Sequence, residues 1–174
     1  MFARGVDNYK PVPIDVNNVI KSSMDLINAQ LHYRGLILEC DLDEDLPPVL
    51  ANPFSLEEVI LNLINNARDA LTDQGKTETS KDPPKIKVRT FLEERSAKCS
   101  VKIEVIDHGP GIPKELQSKI FDPFFTTKDP DKGTGLGLAI SKSIIESFHG
   151  RIKIRSAQGS GTTITIALPA MIQN

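Results

Sequence analysis

The segment "DPFFTTKDPDKGTGLGLAIS", residues 122–141, sets Gly133, Gly135 and Gly137 within five residues and begins an apolar run directly after them. Glycines at this density let a backbone turn tightly and point its N–H groups inward. A helix starting at Leu136 adds the positive end of its dipole, a combination that suits phosphate. Ahead of the glycines, Phe121, Phe124 and Phe125 offer an apolar root, and Lys128 and Lys132 offer cations within reach. Asp122 to Thr134 is polar and bounded by prolines and glycine, the makeup of a mobile lid. The segment lacks the G-x-x-x-x-G-K-[ST] of a Walker A loop and the G-x-G-x-x-G of a dinucleotide fingerprint. Taken alone, it also reads as a plain glycine-rich loop.

Working outward, Leu136 to His149 reads as a helix, with Gly150 at its C′ position. Ile152/Ile154 and Ile164/Ile166/Leu168 are the apolar faces of a closing hairpin around "AQGSG". Upstream, "DHGPGIP" leads into a short helical piece, Lys114 to Ile120. Two strand patterns precede it, one alternating Ile86, Val88 and Thr90 with charged residues, the other Val101, Ile103 and Val105. The clearest helix is "NPFSLEEVILNLINNARDAL", where Ser55 and Glu58 make an S-x-x-E capping box. Its Leu56, Val59, Ile60, Leu63, Ala67 and Ala70 fall on one stripe. "LTDQGKTETSKDPPK" reads as a surface loop, and Leu36 to Leu42 as a strand. Asp15 begins a helix to about His32, its apolar side formed by Val16, Val19, Ile20, Ser23, Leu26, Ile27 and Leu31. Residues 1–14 show no period and read as a lead-in from an upstream domain. The expected fold is α+β: a two-layer sandwich over residues 15–174, with a mixed sheet on one side and helices on the other.

The 174 residues suffice for one domain with a sizeable core. A net charge of −2 and 5% aromatics argue against a nucleic-acid partner. Cys40 and Cys99 fit no metal spacing and read as reduced, packed thiols. No run approaches a membrane span, so the expectation is a soluble cytoplasmic chain with no membrane contact of its own, whether or not its parent is membrane-anchored.

Two further constellations bear on chemistry. Asn62 and Asn66 stand four apart on the long helix, one above the other at the edge of its apolar stripe. Amide oxygens there can join the shell of a hard cation such as Mg²⁺; a solvated helix face is the competing reading. In "IEVIDHGPGIP", Asp107 ends a strand ahead of Gly109, Gly111 and Ile112. A carboxylate beside small residues can accept a hydrogen bond from an exocyclic amine such as adenine's, although Asp-x-Gly turns are common without any ligand.

Together these pieces resemble the catalytic, ATP-binding domain of sensor histidine kinases, within the GHKL superfamily that has the Bergerat fold. "EEVILNLINNARDAL" is similar to the N box, "IDHGPGIP" to the G1 box, "IFDPFFTTK" to the F box and "GTGLGLAIS" to the G2 box. "GSGTTITIALP" resembles the last strand pair, and the likeness runs from about Val12 to Pro169. The resemblance implies that Asn66 binds Mg²⁺ with Asn62 as its polar neighbour, and that Asp107 reads the adenine amino group. It implies nucleotide contacts for Gly109, Gly111, Ile112, Gly133, Thr134, Gly135, Leu136, Gly137, Leu138 and Thr162. Phe121 and Phe124 would pack the root of the lid, and Lys128 would meet a phosphate when the lid closes. Many members carry a basic residue three positions after the N-box asparagine. Here that position is Asp69, with Arg68 just before it, as in the nitrogen-sensor-like branch.

The cofactors implied are ATP and Mg²⁺. The implied partners are an upstream histidine-bearing dimerisation domain and a cognate response regulator, and the isolated chain is expected to be a monomer. His32, His108 and His149 lie on no helical-hairpin pattern, so the phosphoacceptor is expected outside this chain. Two alternatives stand beside this reading: a stand-alone serine kinase of the anti-sigma type, and a nucleotide-binding module without turnover.

Overall fold

A computed structural model describes residues 10–72, 83–95, 98–128 and 133–172. Lys132, residues 73–82 of the expected surface loop and most of the lead-in lie outside the described residues. In chain order the elements are β1 (Val12–Ile14), α1 (Val16–Tyr33), β2 (Ile37–Leu42), β3 (Val49–Ala51), α2 (Pro53–Thr72), β4 (Lys85–Arg95), β5 (Lys98–Asp107), α3 (Lys114–Gln117), α4 (Gly137–Ser147), β6 (Arg151–Ala157) and β7 (Gly161–Pro169).

Five strands form one mixed sheet in the order β2-β4-β5-β7-β6. Only β2 and β4 run parallel; the other pairs are antiparallel. Alternation along each strand sends one face to the core: Ile86, Val88 and Thr90 of β4, Val101, Ile103 and Val105 of β5, and Ile164, Ile166 and Leu168 of β7 are all buried. Helices α1, α2 and α4 pack beside one another on that face, with α2 central. Its Leu56, Val59, Ile60, Leu63 and Ile64 are at most 1% exposed, each contributing about 1.5–3 kcal/mol by leaving water. A polar cluster between α1 and β4 is satisfied internally. The Thr90 hydroxyl donates to Asn17 Oδ1 at 2.9 Å, and Asn17 Nδ2 donates to the Asp43 carbonyl at 2.7 Å.

Local expectations fail in informative ways. Val12–Ile14, read as lead-in, form β1 and pair antiparallel with β3, so the folded unit begins before Asp15. Pro13 is tolerated because this two-stranded ribbon is all edge. Helix α2 begins at Pro53, two residues ahead of the expected Ser55 cap. Asn52 is the cap: its Oδ1 accepts from Ser55 N at 2.9 Å, and Pro53 takes the first turn, where its missing N–H costs nothing. Leu26 of α1 is 61% exposed, outside the stripe it was assigned to, and Cys40 is exposed rather than packed. At the end of α4, His149 takes the left-handed C′ position with φ 59°, and Gly150 N–H closes the motif onto the Ile145 carbonyl at 2.9 Å. Gly150 instead serves packing, since a Cβ there would lie 2.7 Å from the Ala167 carbonyl oxygen.

Asn52→Ala should destabilise the chain by about 1 kcal/mol, and Ser55→Ala by less than about 0.5 kcal/mol, in urea unfolding. The reverse ranking would restore the Ser55 cap.

Candidate functional site

Helix α2 connects the candidate residues. From Asn62 to Ala70 it rises roughly 12 Å, and each turn meets a different part of the site. At its C-terminal end, Ala70 lies under Gly109: a Cβ on Gly109 would sit 3.4 Å from Ala70 Cβ and 2.9 Å from Asp107 Oδ1. Asp69, next to Ala70, and Asn66, one turn earlier, face Lys128, whose Nζ lies 2.6 Å from Asp69 Oδ2 and 3.4 Å from Asn66 Oδ1. Another turn back, Asn62 faces α4. Its Nδ2 donates to Ser141 Oγ at 2.9 Å, and Gly137 leaves the room its amide occupies. The structure therefore brings the adenine-reading candidate, the metal candidate and the glycine-rich helix start onto one side of one helix.

Asp107 sits at the end of β5 and is only 6% exposed. Burial pushes its carboxyl above the ordinary carboxylate range, partly offset by backbone N–H bonds from Gly109 and Thr162 and by the nearby His108 charge. Gly109 N donates to Oδ1 at 2.8 Å. Thr162 is its register partner across β5 and β7, and Thr162 Oγ1 lies 3.0 Å from Ser156 Oγ. Ser156 is a hub that the sequence did not reveal. Its hydroxyl accepts from Ile112 N, 44 residues away in the chain, at 2.8 Å and donates to the Gly161 carbonyl at 2.8 Å. Gly111 has φ 70°, and a Cβ there would collide with the Ala157 carbonyl. Its smallness makes room for the turn between β6 and β7, so the fold itself requires a glycine here.

Asp69 carries the strongest electrostatics in the site. Burial alone would raise its carboxyl, but hydrogen bonds from Lys128 and Arg68, with their charges, bring it below the ordinary range. Arg68 donates to Oδ1 from Nε at 3.0 Å and from Nη2 at 2.8 Å. Arg68 is thus engaged with its neighbour on the helix.

The glycine row starts α4 as expected. Helix α4 has Leu136 at its N-cap, and no described side chain caps its first N–H groups. Leu136 N itself donates to Thr134 Oγ1 at 3.4 Å. Leu138 packs against the core. Gly135 has φ 68°, and a Cβ there would overlap the Phe124 backbone, so only glycine fits. Gly133 lies against Thr126 and the stem of Lys128. Phe121 is half-buried, with Lys142 Nζ 6.0 Å from its ring centre. The expectation that Phe124 packs the lid root is corrected. Its ring is 74% exposed and its φ is 66°, so its backbone, not its side chain, contacts the glycine row.

Among the described residues, Asn66 offers an amide oxygen that fits a hard cation. Asn66 Oδ1 has one described contact, at 3.4 Å, and keeps acceptor capacity, while Asn62 is oriented by the bond its Nδ2 donates to Ser141, which leaves its Oδ1 as an acceptor. Among the described residues, no cluster of three or more His, Cys, Asp or Glu side chains is placed to hold a metal. A hollow of about 420 Å³ between α2 and α4 reaches Asn62 and Gly137 but not Asp107. A larger one on the outer sheet face, about 1140 Å³, is lined by Arg151, Lys153 and Arg155 and holds none of the candidates. Neither hollow by itself encloses the site, which is defined by the contacts along α2.

Residues 51–172 match the family model of histidine kinase-, DNA gyrase B- and HSP90-like ATPases. The chain is 37% identical over 166 residues to the sensor kinase CckA of Brucella abortus, covering 94% of this chain and 18% of that protein. It is 35% identical over 163 residues to the sensory histidine kinase/phosphatase NtrB of Vibrio alginolyticus, covering 90% and 43%. Among solved structures, the catalytic domain of histidine kinase ThkA superposes with a TM-score of 0.72 at 29% identity, over 92% of this chain and 96% of that one. The chain thus spans less than half the length of these two curated relatives. No described helix is long and apolar enough to cross a membrane.

The raised carboxyl of Asp107 means that its charge costs folding free energy above its folded pKa, and that the cost vanishes below the ordinary carboxylate range, where both states are protonated. Asp107→Asn should therefore unfold at a higher urea midpoint than the unsubstituted chain at pH 7, and at the same midpoint near pH 3. A lower midpoint at pH 7 would contradict the assignment.

Proposed function

Because the chain belongs to the family of histidine kinase-, DNA gyrase B- and HSP90-like ATPases, we propose that it is the catalytic domain of a two-component sensor histidine kinase and takes Mg-ATP along the exposed side of α2. The observation that carries this reading is the alignment of Asp107, Asn66 and Gly137 with successive turns of that helix. The names of the relatives support the kinase assignment, and no observation favours the serine-kinase or non-catalytic alternatives.

Asp107 accepts the adenine amino group through Oδ2, since Gly109 N–H already holds Oδ1. Thr162, beside it on β7, contacts the base. The uncapped start of α4 and the Gly133–Gly137 backbone face the phosphates. Asn66 holds Mg²⁺, which supplies charge neutralisation to the phosphate oxygens. Lys128 sits at the lid root, within reach of the same region. Transfer breaks the bond between the γ-phosphorus and its bridging oxygen and forms one to an imidazole nitrogen, with ADP leaving. The protein's part is positioning and electrostatics. The acceptor histidine belongs to a dimerisation domain of the same protein, and a response regulator takes the phosphoryl group onward. The isolated chain is a cytoplasmic monomer and lacks autophosphorylation by itself.

Isothermal titration tests the site. Asp107→Asn turns an amide NH₂ toward the adenine amine, donor against donor, because Gly109 keeps the acceptor oxygen. The expected loss of ATP affinity is about 100-fold, near 3 kcal/mol. Asn66→Ala should bind ATP in EDTA about as the unsubstituted chain does and lose most of the effect of added Mg²⁺. Equal, mild effects from both substitutions would refute these roles.

A further inference from the structure

We propose that Asp69, which carries no assigned role, is a positioning residue that holds Lys128 toward the phosphate side of the site; the inference rests on the nucleotide-binding reading above. A carboxylate facing a polyanion is repulsive unless it is neutralised, and Asp69 is more than neutralised. Lys128 Nζ meets Oδ2 at 2.6 Å, while Arg68 meets Oδ1 through two donors at 2.8 and 3.0 Å. One negative charge between two positive ones leaves the cluster at +1, directly beside Asn66.

The geometry holds the lysine rather than burying it. Asp69 and Asn66 are three residues apart and share a helix face, with Asp69 holding the ammonium at 2.6 Å and Asn66 Oδ1 farther off at 3.4 Å. An ammonium has three donors. Asp69 takes one, and the loose Asn66 contact can be given up to a cation, so the ammonium keeps donors for an incoming acceptor. Side-chain exposures of 28% for Lys128 and 25% for Asp69 place the pair between a solvated surface contact, worth little, and a buried one. The chain packs Gly133 against the Lys128 stem. A long, flexible side chain at a lid root samples many rotamers unless something fixes it. Asp69 fixes it from the rigid helix, so the cation is already in place when the phosphates arrive.

Titration of the 174-residue chain with Mg-ATP and, separately, with adenosine tests the proposal. Asp69→Asn and Lys128→Met should each weaken Mg-ATP binding about tenfold. Adenosine binding and the melting curve should hold, which also shows that each variant folds. The double variant should lose no more than either single one. Moving the cation onto the helix, with Asp69→Lys and Lys128→Met combined, should recover most of the loss. An Asp69→Asn chain that binds Mg-ATP as tightly as the unsubstituted chain, or more tightly, overturns the positioning role and leaves the nucleotide reading standing. Additive losses in the double variant overturn it as well. An unsubstituted chain that binds neither Mg-ATP nor adenosine overturns both.

Discussion

The close approach of α2 to the end of β5 is the constraint on which the site depends. Gly109 lies against Ala70 and donates to Asp107 in the same turn. That contact sets where the carboxylate points and how near the helix runs to it. From there the helix geometry places the rest: Asp69 beside Ala70 and Asn66 one turn back, both met by Lys128, and Asn62 two turns back, met by Ser141. A larger side chain at Gly109 or Ala70 would push the helix off the sheet and separate the adenine end from the phosphate end.

Most of this organisation was legible because it is periodic or local. The stripe of α2, the alternation in β4, β5 and β7, and the glycine row ahead of α4 each show themselves within one stretch. The misses arise where distant partners decide. Ser55 with Glu58 looks like a cap, but Asn52 three residues earlier has the better position because Pro53 can only open a helix. Val12–Ile14 has no pattern of its own and becomes a strand because β3 offers an edge. Phe124 looks apolar enough to pack, yet its strained backbone turns the ring outward so that Gly135 can pass beneath it.

In the site, the residue types were readable and their connections were not. Nothing local links Ser156 to Ile112, or Lys128 to Asp69 across 59 residues. Several glycines that suggest ligand contact are also required by the protein itself, with Gly111 accommodating Ala157 and Gly137 accommodating Asn62. Their presence alone is weak testimony to a nucleotide. The stronger testimony is a buried carboxylate, an amide with spare acceptor capacity and an uncapped helix start lying along one helix.

The account's central claim is that one molecule of Mg-ATP spans this helix from Ala70 to Asn62. Titrating Mg-ATP into isotope-labelled chain and following amide resonances by NMR tests it most directly. Gly109, Asn66 and Gly137 should shift together with one common midpoint, while Lys153 and Arg155 on the outer sheet face stay still. Shifts confined to the outer face, or separate midpoints at the two ends of α2, would contradict it.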